Sequence, residues 1–131
     1  MTARPLRMVR GPIALLALVA LPLGACVSNA PASGGAGTIA VDSSATACTL
    51  SAAEAPSGTI TFQVKNTGDE ATEFYLLGED GVRVVGEVED IGPGLTRDLV
   101  VQAQPGSYVT ACKPGMTGDG IRAPFRVTGT P

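Results

Sequence analysis

Gly58–Asn66, GTITFQVKN, alternates without a break: Ile60, Phe62 and Val64 fall on one side of an extended chain, Thr59, Thr61, Gln63 and Lys65 on the other. This is the pattern of a half-buried β-strand, and Asn66-Thr67-Gly68-Asp69 turns the chain at its end. Working outward, the same punctuation recurs about every eight to twelve residues. Thr72–Leu77 (TEFYLL) places Phe74 and Leu76 on one face and Glu73, Tyr75 and Leu77 on the other. Glu79-Asp80-Gly81 turns into Val82–Val88, Ile91-Gly92-Pro93-Gly94 leads to Leu95–Val101, and Pro105-Gly106 leads to Ser107–Cys112. Ile121–Val127 closes the series, and Thr38–Asp42 opens it. No helical period survives the glycines and prolines. About seven short strands predict an all-β sandwich. With no Trp, three Phe and two Tyr, its core relies on Val, Ile and Leu.

Upstream of the strands the chain changes character. Arg4, Arg7 and Arg10 precede an apolar run from Ile13 to Leu23, too short to span a bilayer, which takes about 20 apolar residues. Small residues then lead to a cysteine in Leu23-Gly24-Ala25-Cys26, a stretch resembling a bacterial lipobox. Residues 1–25 are therefore expected to be a lipoprotein signal peptide, with Cys26 the lipid-bearing first residue of the mature chain. The plainer alternative is an ordinary signal peptide cut near Ala25. Residues 26–37 are rich in Gly, Ser and Ala and read as a flexible tether, leaving residues 38–128 as one small domain. The protein is expected to be exported and anchored to the outer face of the cell membrane through Cys26.

Charge and composition exclude several functions. All three arginines of the leader are lost on cleavage, so the mature chain carries six basic and twelve acidic residues, a net charge of −6. That balance argues against a nucleic-acid partner and suits attraction of cations. The chain contains no histidine. Ser-His-Asp and Cys-His catalysis, His-ligated zinc and the His₂Cys blue-copper centre are all ruled out.

The ordered fragments Cys48-Thr49-Leu50, Asn66 through Glu73-Phe74, Gly86-Glu87-Val88-Glu89, Ile91-Gly92-Pro93-Gly94 and Pro105-Gly106-Ser107-Tyr108, leading to Cys112-Lys113-Pro114-Gly115-Met116, resemble the cupredoxin-like domain of EfeO-type iron-uptake proteins. The resemblance covers about residues 38–128 and implies a cupredoxin-like Greek-key β-sandwich. Its last fragment is similar to the cupredoxin copper loop, in which a Pro-Gly turn and an aromatic residue precede a Cys ligand and a Met follows. Electron-transfer cupredoxins place one His after the Asn-containing turn and another between the Cys and the Met. Here Glu73 stands in the first place, and Lys113-Pro114-Gly115 supplies no ligand for the second. Carboxylate in place of imidazole moves such a site toward Fe³⁺ or a mixed-ligand Cu²⁺ centre. The resemblance implies Cys48, Glu73 and Cys112 as ligands of an iron or copper ion, with Glu87, Glu89 and Met116 behind them.

Each of these residues has a second reading. Two cysteines in an exported domain often end as a disulfide, so Cys48 and Cys112 are either bridged or metal-bound. Glu73 belongs either to a site or to a solvent face. Glu87 and Glu89 share one face of their strand, as paired carboxylates or as ordinary surface charge. Met116 is a ligand or part of loop packing. Complete EfeO-type proteins join this domain to a larger imelysin-type domain. The chain is expected to act as a stand-alone cupredoxin part, serving an iron-uptake permease or an imelysin-type partner. Two functions follow: a non-enzymatic metal-binding lipoprotein that assists iron uptake, or a disulfide-stabilised interaction module of the cell envelope with no metal.

Overall fold

The computed structural model of the chain describes residues 36–129; the predicted leader, Cys26 and all but the end of the tether lie outside them. Within that span are β1 (Ala36–Ser43), β2 (Cys48–Leu50), β3 (Glu54–Pro56), β4 (Gly58–Asn66), β5 (Thr72–Gly78), β6 (Val84–Ile91), β7 (Thr96–Ala103), β8 (Gly106–Pro114) and β9 (Ile121–Thr128), with no helix. One sheet has the order β2-β1-β4-β7 and the other β3-β9-β8-β5-β6. The chain changes sheet between β2 and β3, β3 and β4, β4 and β5, β6 and β7, and β7 and β8. β1 pairs parallel with β4 and β3 with β9, while the other neighbours are antiparallel. The expected all-β sandwich is what the residues build.

The alternation of β4 places Ile60, Phe62 and Val64 wholly in the interior. Phe62 meets Phe74 at 5.2 Å between ring centres and Phe125 at 5.3 Å, edge to face, which joins the two sheets at the middle. Each such ring contributes about 1.5–3 kcal/mol by leaving water. Gly86 lets β6 approach β7, since a Cβ there would fall 2.5 Å from Val101 Cγ1.

Seven strands lie where the alternation predicts, and two do not follow from it. β2 and β3 have three residues each, too short for a period to show, and β3 ends in a proline. One boundary moves. Val82 and Arg83 stay out of β6 because their amides both donate to Asp80 Oδ1 at 2.9 Å, closing a turn. Those two amides, the Val82 one first, hold the Asp80 carboxyl below its usual range.

Candidate metal centre

β5 delivers side chains to both sides of its sheet, and the candidate ligands divide along that line. On the inner side, Cys48 of β2 and Cys112 of β8 are joined by a disulfide, S–S 2.04 Å and Cα–Cα 5.6 Å. The bond ties one sheet to the other, with Cys112 fully buried opposite Phe74. Neither sulfur carries the thiolate that metal ligation requires. In this structure the ligand expectation for Cys48 and Cys112 gives way to the bridge.

The surrounding polar groups are closed on one another. Ser43, in register with Cys48, holds its Oγ 2.8 Å from Thr72 Oγ1, a buried hydroxyl pair that again spans the sheets. Thr72, not Glu73, is the inward residue at the start of β5, because Phe74 and Leu76 face the core and alternation takes Thr72 with them. Buried Asn66 donates through Nδ2 to the carbonyls of Glu70 and Ile91, both at 2.7 Å, and Oδ1 accepts from the Gly68 amide at 2.9 Å. Among the described residues no buried side-chain nitrogen or oxygen lacks a partner. With no imidazole, no free thiolate and no orphaned donor, this interior does not fit a copper ion.

On the outer side, alternation brings Glu73, Tyr75 and Leu77 together. The Tyr75 hydroxyl donates to Glu73 Oε2 at 2.8 Å and lies 3.3 Å from Glu89 Oε1, with Glu87 directly across from Tyr75 in the strand register. Burial pushes the Tyr75 phenol well above its ordinary value. The hydrogen bond to Glu73 and the negative charges of Glu73, Glu87 and Glu89 add to the shift. Lys113, opposite Glu73, places its ammonium 4.3 Å from the Tyr75 ring centre. Among the described residues the ion pair within 4 Å is Arg122–Asp119, at 3.8 Å, so none of the three glutamates is paired with a cation.

The arrangement is a phenol with one proton facing two carboxylates that both accept it, and a third carboxylate beside them. These are hard oxygen donors set in a net negative field. Among the described residues no three His, Cys, Asp or Glu side chains are close enough to hold an ion as they stand. A bound cation would have to draw the half-exposed Glu73 and the exposed Glu87 and Glu89 inward. Met116 lies in the turn after β8, its backbone in the left-handed region (φ 56°) and its side chain 40 % exposed. The expected ligands thus separate into a bridged pair inside and a carboxylate set outside. Tyr75, which organises the second set, was legible only as a residue sharing the Glu73 face.

The chain matches a family model described as a cupredoxin-like domain over residues 14–123. It is 35 % identical over 65 residues to the iron uptake system component EfeO of Yersinia pseudotuberculosis, and equally to that of Yersinia pestis. The match covers 50 % of this chain but only 17 % of the relative's length. Among solved structures, a dithionite-reduced auracyanin from Roseiflexus castenholzii superposes with a TM-score of 0.56 at 23 % identity, covering 75 % of this chain and 100 % of that one. An azurin (Az-iso2) from Methylomonas sp. strain J gives 0.52 at 14 % identity, covering 72 % and 98 %. Auracyanin A, a blue copper protein from Chloroflexus aurantiacus, gives 0.50 at 15 %, covering 73 % and 100 %. At these identities the likeness is one of fold.

Proposed function

The chain belongs to the cupredoxin-like domain family, and from that premise we propose that it is an extracytoplasmic, lipid-anchored metal-binding protein that assists iron uptake, a binding module and not an enzyme. The observation that carries this reading is the set of Glu73 and Glu89 on the Tyr75 hydroxyl with Glu87 opposite it in register, and with no cation among the described residues paired to them. Oxygen donors of this kind favour Fe³⁺ over copper, and the absence of histidine points the same way. Iron is then cargo, held on the outer face of the five-stranded sheet and passed to an iron-uptake permease or an imelysin-type partner. The partial likeness to EfeO supports that assignment. The lipid on Cys26 would keep the domain at the membrane, and the acidic surface would raise the local concentration of cations.

The test uses tyrosine emission, since the chain has no tryptophan and only two tyrosines. Fe³⁺ supplied as its citrate complex to the full chain is expected to quench Tyr75 saturably. A Glu73→Gln, Glu89→Gln variant should bind about tenfold more weakly or worse. Equal quenching in the two proteins overturns the assignment.

A second reading draws on the Cys48–Cys112 bridge and the lack of a ready three-ligand group: a disulfide-stapled sandwich that docks an envelope partner without metal. In-cell cross-linking separates the two. A partner captured equally by the wild type and by the double glutamine variant, with no iron dependence, favours docking.

A further inference from the structure

On the outer face of the five-stranded sheet lies a cavity of about 270 Å³ that the carboxylate set does not use. Its position follows from the strand order. Tyr75 leans its hydroxyl toward Glu73 and Glu89, so its ring stands between that acidic end and the residues that follow it along β5. Beyond the ring come Leu77 and, paired with it, Val84. The turn joining β5 to β6 flanks the same space, because Arg122 reaches from β9 and donates through Nη1 to the Gly81 carbonyl at 2.9 Å. This contact brings Val82, 79 % exposed, to the cavity wall beside Val84, 48 % exposed.

The cavity therefore has an apolar side made by Leu77, Val82, Val84 and the Tyr75 ring. Two cations, Lys113 and Arg122, stand on the other, with the water-facing Asp119 beside Arg122. Arg122 is braced by its bonds to the Gly81 and Asp119 carbonyls and is met by the Asp119 carboxylate only at 3.8 Å, on a side chain almost fully in water. Among the described residues Lys113 has no carboxylate within 4 Å. Its ammonium rests against the Tyr75 ring, which orients it without neutralising it. Small-molecule sites combine an apolar surface with a few oriented polar groups, and this cavity, with polar and apolar walls in balance, lies just below their usual range of about 300–1,000 Å³, which suits a small ligand.

We propose that this cavity is a binding site for a small organic carboxylate with an apolar or aromatic body. The carboxylate would pair with the Lys113 ammonium and the outer edge of Arg122, and the body would cover Leu77, Val82 and Val84. A cationic ligand of the same shape is disfavoured, because it would meet two cations against the single, water-facing carboxylate of Asp119. The site adjoins the proposed iron site across the Tyr75 ring but needs no metal.

The test is a titration of the full chain with benzoate in the absence of metal, followed by the methyl NMR signals of Leu77, Val82 and Val84. Benzylamine serves as the matched cation. Saturable shifts are expected with benzoate and not with benzylamine. Lys113→Gln should weaken benzoate binding about tenfold, and Lys113→Arg should restore most of it. Val82→Asp, a change at an exposed turn position that leaves the fold intact, should abolish binding by placing a negative charge at the cavity wall. Shifts that stay linear in benzoate, or equal binding of benzylamine, overturn the proposal. Because no metal is present, that failure leaves the iron assignment untouched, and failure of the iron titration leaves this one untouched.

Discussion

The two sides of β5 handle polar chemistry in opposite ways. Inside, every buried side-chain nitrogen and oxygen of the described residues has its match: Ser43 is bonded to Thr72, Asn66 to two carbonyls and an amide, and beside them sulfur is bonded to sulfur. Outside, two carboxylates share one phenol with a third opposite it in register and an ammonium nearby, and among the described residues none of the three is in an ion pair. A closed network has nothing left to offer a ligand, so the inner pole reads as structure. The outer set places like charges side by side, a field that a cation would relieve, and it is there that we propose the function lies.

Breaking the bridge should give the largest effect. A loop of 64 residues closed by the disulfide restricts the unfolded chain by about 4 kcal/mol. Urea unfolding of the Cys48→Ser, Cys112→Ser variant should show a loss of that size, while the fraction still folded binds iron as before. Loss of iron binding in the folded fraction would erase the division between the two sides. Asn66→Ala comes next, at about 3 kcal/mol, because it leaves the buried Ile91 carbonyl without its donor and frees the turn before β5. Gly86→Ala should cost about 2 kcal/mol by overpacking against Val101, again without changing iron affinity.

The smallest effect on stability, and the sharpest on the comparison, belongs to Tyr75→Phe. At neutral pH it should change unfolding free energy by no more than about 1 kcal/mol, since the glutamates can turn to water. The pH dependence is more telling. The folded phenol keeps its proton above 10.0, where an unfolded chain loses it, so its contribution is present below that pH and declines as pH rises beyond it. The stability advantage of the wild type over Tyr75→Phe should therefore shrink in alkaline solution. An advantage that does not vary with pH would show that neither burial nor the carboxylates hold the proton on the phenol.

Much of the fold was open to the pattern of residues. The two-residue period of β4 and β5 identifies the core-facing side chains directly, because burial on one face imposes it. β2 and β3 were not readable: their three-residue pairings depend on neighbours that chain distance conceals. Glu73, Glu87 and Glu89 could each be placed on a strand face, but not beside a common hydroxyl. The burial of Tyr75 and Leu77 on the outward side was also hidden, because it comes from Ala111 and Val109 of β8 and from a turn that Arg122 holds.

By itself the amino-acid sequence determined the strand alternation, the acidic balance and, through the lack of histidine, the exclusion of blue-copper chemistry. These are properties of single residues and of short-range period, and they hold wherever the strands pack. Only the tertiary structure decided that Cys48 meets Cys112, that Ser43 meets Thr72 across the sheets, and that Glu73 and Glu89 meet at the Tyr75 hydroxyl. Those outcomes depend on which strands become neighbours and in what register, and register is a property of the assembled sheets.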